Sequence, residues 1–180
     1  MPPHEARWSR GFLRQAQSDL DAYEALTSRC SALPICHRLH FLQMWLEKLC
    51  KAYLWQAALT KVDLPSFKGL HNVVGRVLPG LVREHWARVG YVSAPDFHEI
   101  RELCKEFDRL HPQVDDGGRR PDNVEYPWSE FRDGRSRVVA PADERFKLAE
   151  RLYSHSGKQL MKAATWLTRK PSIWSPRESS

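Results

Sequence analysis

The sequence predicts an all-α helical bundle, and three observations predict it. Apolar residues recur at three- and four-residue intervals through most of the chain. The breaks between these segments are short and marked by proline, glycine and serine. No segment shows the persistent two-residue alternation of a half-buried strand. Short connections between amphipathic helices favour antiparallel neighbours, so the architecture expected is an up-and-down bundle of about five helices.

Phe12, Leu13, Ala16, Leu20, Tyr23 and Leu26 define a first helix near 9–29. Ser31-Ala32-Leu33-Pro34 breaks it, and Pro34 suits the first turn of a second helix, where a missing N–H costs nothing. Leu39, Leu42, Leu46, Leu49, Tyr53 and Ala57 carry that helix to about residue 59, and Phe41, Trp45 and Trp55 widen its apolar face. It is the helix expected at the centre of the core. Helical spacing continues through Leu70, Val74, Leu78, Leu81 and Trp86, but Gly75, Pro79 and Gly80 interrupt it. Two short helices or one kinked helix are expected there. Ser93-Ala94-Pro95-Asp96 reads as a capped start for a helix through Phe97, Ile100, Leu103, Phe107 and Leu110, stopped by Pro112. Residues 113–141 form one long irregular loop, and a last helix is expected from about Ala142 to Thr168. The bundle thus spans 1–168, with a disordered Pro/Ser-rich tail over 169–180.

The chain has 180 residues, 42% hydrophobic and 28% charged, an ordinary globular composition. Lys and Arg number 28 against 22 Asp and Glu, a formal charge of +6 that suits an acidic partner such as nucleic acid. No apolar run approaches the ~20 residues of a membrane span, and the first residues lack a signal-peptide layout. The expectation is a cytoplasmic protein with reduced cysteines, no membrane association and no cofactor. Cys30, Cys36, His37 and His40 lie close in sequence but match no common zinc spacing, so no metal site is expected.

Over residues 35–90, eight Lys/Arg stand against three Asp/Glu. Arg76, Arg83, Lys68 and His71 are the candidate nucleic-acid contacts, with Trp55, Trp86 and His85 as possible stacking platforms. Periodicity places Trp86 on the apolar stripe, which favours a core role for it. Gln43, Glu47 and Lys51 are spaced i, i+4, i+8; the simplest reading of Glu47, Lys48 and Lys51 is a solvated ion pair on a helix flank. In the long loop, Pro127 holds Tyr126 extended, and Glu125-Tyr126-Pro127-Trp128 reads as a staple onto the bundle.

Ala16-x-x-Asp19-Leu20 on the first helix and Gln43-x-x-x-Glu47-Lys48-x-x-Lys51-Ala52 on the second resemble the HEPN superfamily, with Lys68-Gly69-Leu70-His71-Asn72 similar to its approach to the third helix. The resemblance implies a HEPN-like antiparallel bundle, often dimeric or docked on a partner protein, in an RNA-binding, toxin–antitoxin or antiviral defence setting. Many HEPN proteins are metal-independent ribonucleases that use Arg, four to six residues, then His. The histidine acts as acid or base, and the arginine stabilises phosphate charge. No arginine of this chain has a histidine at that spacing. The nearest pair, Arg151 and His155, is i, i+4 within the expected last helix, where a solvated face explains it more simply. The resemblance therefore points first to a binding or accessory module, second to a ribonuclease with a displaced site at Arg151 and His155, and third to a structural subunit with a protein partner. Asp115, Asp116 and Asp122 are offset by Arg119 and Arg120, and no phosphate-binding glycine loop or hydrolase signature is present.

Overall fold

The structure is a computed structural model describing residues 4–30, 32–58, 71–90, 95–114 and 123–170. It is an all-α bundle: α1 (His4–Arg29), α2 (Ile35–Ala58), α3 (Val74–Val89), α4 (Phe97–Arg109), α5 (Lys147–Arg151) and α6 (His155–Arg169). Between α4 and α5 lie two strands, β1 (Trp128–Arg132) and β2 (Arg135–Val139), and a short 3-10 turn at Pro141–Asp143.

α2 is central because most of its circumference is covered. Leu39, Leu42, Trp45, Leu46, Leu49, Cys50 and Ala52 are buried on its apolar stripe, and Gln43, Glu47 and Lys51 beside that stripe are buried as well. α1 lays Leu13, Ala16 and Leu20 along it, and the Ser9 hydroxyl donates to the Ala52 carbonyl at 3.1 Å. α3 and α4 form an antiparallel pair that contributes Val74, Leu78, Val82, Ile100, Leu103 and Phe107 to the same core. α6 closes the bundle against α1–α4 through Leu160, Ala163, Ala164 and Leu167. The Trp45 indole N–H donates to Thr168 Oγ1 at 2.8 Å, and the Thr168 hydroxyl donates to the Ala164 carbonyl at 2.8 Å. This satisfies a tryptophan that no water reaches.

Of the two forms expected for the third segment, the single helix is found: α3 runs from Val74 to Val89, with Pro79 and Gly80 inside it. Its first N–H groups are taken by the Asp108 carboxylate, from Val74 N at 2.9 Å and Gly75 N at 2.8 Å. Three other expectations are corrected. Asp96, not Ser93, caps α4, accepting from His98 N and Glu99 N; Ser93 lies outside the described residues. The last helix is broken. The α5 chain turns at Leu152–Ser154, and the Ser154 side chain accepts from Gly157 N to start α6. Gly157 is pressed so close to this turn that a Cβ would lie 2.5 Å from the Arg151 carbonyl oxygen, a contact no side chain survives.

The long loop is not wholly irregular: β1 and β2 pair antiparallel, Trp128 opposite Val139 and Arg132 opposite Arg135. The two-residue turn is Asp133-Gly134, both at positive φ (51° and 77°), the geometry that Asp-Gly supplies to a hairpin. Val139 is buried at the hairpin base, while Phe131 and Val138 stand in solvent on its outer face. The expected tail beyond residue 170 and Lys68 lie outside the described residues.

Candidate functional site

The motif residues of α1 and α2 face inward. Ala16, Asp19, Leu20, Gln43, Glu47, Lys51 and Ala52 are all buried, which overturns the reading of Glu47 and Lys51 as a solvated pair. Lys51 Nζ donates to Glu47 Oε1 at 2.7 Å, and Gln43 Nε2 donates to Glu47 Oε2 at 2.8 Å. One turn toward α1, Lys48 Nζ donates to Asp19 Oδ2 at 2.7 Å, and the Gln15 amide reaches Asp19 Oδ1 at 3.1 Å. Two ion pairs thus form a polar layer inside an otherwise apolar interface.

Two histidines sit over this layer. His71 Nδ1 lies 3.3 Å from Glu47 Oε2, and its ring stacks on His111 with centroids 3.7 Å apart and planes 8° from parallel. Burial alone would raise the Glu47 carboxyl, but the hydrogen bond and charge of Lys51, with those of His71, outweigh it and hold the group below its usual range. The ionised Glu47 only accepts, so His71 Nδ1 carries the proton that it donates. Gln113 N donates to His111 Nδ1 at 3.2 Å, which places the His111 proton on Nε2. Burial and then the His71 charge lower the His111 value, in keeping with that neutral form. Nearby, burial pushes Asp108 up to about 6, against the two N–H groups of α3 that favour its anion.

The loop segment is built onto the same end. Asn123 is buried, and its Oδ1 accepts from Glu125 N at 2.9 Å and Tyr126 N at 2.7 Å. This turn puts Glu125 Oε1 3.7 Å from His40 Nδ1 of α2. The anchor is Asn123 with Glu125 and half-buried Trp128; Tyr126 projects into solvent, 59% exposed.

Arg76 and Arg83 are exposed on the flank of α3 that faces α4. Arg83 lies over the Phe97 ring at 5.3 Å, and Gly75 approaches Lys105 so that a Cβ would stand 3.3 Å from its Cγ. Arg101 lies one turn from each of those α4 residues, so Arg76, Arg83, Arg101 and Lys105 form one cationic face across the α3–α4 seam. The carboxylates of α4 do not neutralise it. Asp96 caps its own helix, Glu99 accepts from the Ser154 hydroxyl at 2.9 Å, Glu106 pairs with Arg151, and Asp108 caps α3. Only Glu102 turns to this surface, donated to by Lys105 at 2.7 Å. Among the described residues, no carboxylate pairs with Arg76, Arg83 or Arg101.

The residues singled out from sequence are therefore divided among three places. Arg76 and Arg83 share the α3–α4 face, joined by Arg101 and Lys105, which sequence reasoning missed; their signal was the i, i+4 run on the exposed side of α4. His71 belongs to the half-buried histidine stack. Trp86 and His85 are core residues at 8% and 3% exposure and offer no stacking platform, while Trp55 stacks on Trp8 at 5.9 Å. Arg151 and His155 do not share a helix face, since the chain breaks between them; Arg151 is held by Glu106, and His155 is exposed at the first turn of α6.

Cys36, Cys50 and Cys104 are buried free thiols, with burial raising each of their values, and Cys30 is a half-buried free thiol. Among the described residues, no group of three His, Cys, Asp or Glu side chains is placed to hold a metal ion, and no helix is long and apolar enough to cross a membrane. The chain matches no protein-family model, no curated protein and no solved structure in the three comparisons made.

Proposed function

We propose that this chain is a HEPN-like accessory module that binds RNA through the α3–α4 face and works beside a partner protein in a toxin–antitoxin or defence system. The observation that carries the binding reading is the cationic seam of Arg76, Arg83, Arg101 and Lys105; among the described residues three of these four cations make no ion pair with a carboxylate. Two antiparallel helices hold these side chains at fixed spacing, a geometry suited to tracking a phosphate backbone without reading bases. The HEPN reading itself rests on the motif positions of α1 and α2, and the biological setting follows from that resemblance. Reversing Arg76 and Arg83 to Glu is expected to weaken binding to unrelated single-stranded RNAs alike. It should also reduce the salt slope by roughly 0.7–0.9 per lost phosphate contact. Unchanged affinity at low salt would refute the assignment of this face.

A second reading, metal-independent RNA cleavage, is favoured by a different observation: Glu47 orients His71 as a carboxylate orients a general base. Under that reading, RNA is cut in the presence of chelator, and His71→Ala abolishes the cut while His155→Ala does not. Intact RNA after prolonged incubation with the purified chain removes it.

A further inference from the structure

A cavity of about 740 Å³ opens between the C-terminal half of α1, the start of α2, and α5–α6. It shares no residue with the α3–α4 face. Its volume falls in the range of small-molecule sites, and its walls have their composition: mostly apolar, with a few placed polar groups. Ile35, Leu39, Phe146, Leu152 and Met161 supply the apolar surface. Tyr23, stacked on buried Trp45 with centroids 6.3 Å apart, adds an aromatic wall that is fixed from behind.

The charges at the cavity are unbalanced. Among the described residues, Arg38, Arg145 and Lys158 line it against a single carboxylate, Glu150, which Arg145 Nε already occupies at 2.8 Å. Arg38 is the cation set deepest. Its Nε is shielded from solvent and has no hydrogen-bond partner among the described residues, and its charge acts on the Tyr23 hydroxyl. Among the described residues no carboxylate pairs with the Arg38 guanidinium, and an anion bound in the cavity would supply an acceptor to those of its N–H groups that face it. Lys158 repeats the same charge at the rim.

We propose that this cavity binds a small amphipathic anion, with an aromatic or aliphatic body seated among Leu39, Phe146 and Met161 and a single carboxylate, sulfonate or phosphate on Arg38. A purely apolar ligand leaves Arg38 unsatisfied, and a polyanion without an apolar body leaves the walls wet. The pairing of one half-buried guanidinium with one apolar chamber selects a molecule that has both parts.

The test uses the full chain and two fluorescent probes of nearly equal shape, 1-anilinonaphthalene-8-sulfonate and the uncharged N-phenyl-1-naphthylamine. The sulfonate is expected to bind saturably, one per chain, and to raise the thermal midpoint, which distinguishes native-state binding from binding to unfolded chains. Arg38→Gln should weaken the sulfonate by about tenfold or more, the value of one charge-assisted hydrogen bond, and leave the uncharged probe unchanged. If Arg38→Gln lowers helical content by circular dichroism, Lys158→Gln at the exposed rim gives the same comparison in a folded protein. The proposal is overturned by non-saturable binding, by a lowered midpoint, or by a sulfonate affinity that the folded variant does not change.

Discussion

Glu47 and Lys51 are each about 95% buried, and each is the other's main partner. Removing one leaves the other's charge in an apolar interface without its main counter-ion, whereas removing both can be nearly neutral. Lys51→Met is therefore expected to cost about 3–5 kcal/mol, and Glu47→Leu/Lys51→Met to recover most of that loss in urea denaturation. Asp108 gives a pH signature. Its folded value, about 6, lies above its ordinary 3.8, so the native state binds the extra proton between these values. That contribution is full below the unfolded value and is lost as pH rises through 6. Stability should fall from pH 4 toward pH 7 by an increment that Asp108→Asn abolishes. Glu47, whose value is lowered, works in the opposite sense: its contribution is present above 4.5 and is lost as pH falls through its lowered folded value. The adjacency of these charges was legible as i, i+4 spacing; their burial was not, because charged residues on a helix are usually solvated. Leu39, Leu42, Trp45, Leu46 and Leu49 mark a single stripe, and what covers the Glu47–Lys51 side is decided only when the other helices pack against α2.

At the level of elements, the break between α5 and α6 turns on one glycine. Gly157→Ala places a Cβ against two backbone carbonyls, at 2.5 Å and 2.7 Å, and is expected to cost roughly 1–3 kcal/mol. Gly11→Ala in α1 is its control, for nothing lies within 4 Å of the added carbon. There the better helix propensity should stabilise by about 0.5–1 kcal/mol. Thermal midpoints of the two variants should move in opposite directions. Apolar periodicity runs on from Phe146 through Leu152 to Leu160, which is why one long helix is predicted where two short ones form. Period alone cannot register a turn that preserves it; the Ser154-x-x-Gly157 cap was the only local mark. The hairpin had a stronger mark in Asp133-Gly134, but its flanking residues are mostly charged or exposed, so no apolar alternation accompanies it.

Across the whole molecule, the all-α class was legible because α1, α2, α4 and α6 each carry an apolar stripe of helical period. The cationic seam was half legible: α3 supplied its two arginines, but the contribution of α4 depends on which helix packs beside which, and that is a property of the assembled bundle. Assembly also gives one buried hydrogen bond a long reach, since Trp45 and Thr168 are 123 residues apart. Thr168→Val strands the indole N–H and should cost about 1–3 kcal/mol. Stopped-flow measurements are expected to place that loss in faster unfolding, with refolding little changed. The reason lies in sequence separation. α1 with α2, and α3 with α4, are neighbours along the chain and dock through short loops, whereas α6 must return across the whole domain and bear the loop-closure entropy. A newly made chain thus carries Trp45 and the inner faces of α1 to α4 uncovered until α6 has been synthesised. That interval is when this protein is most exposed to aggregation and to capture by chaperones.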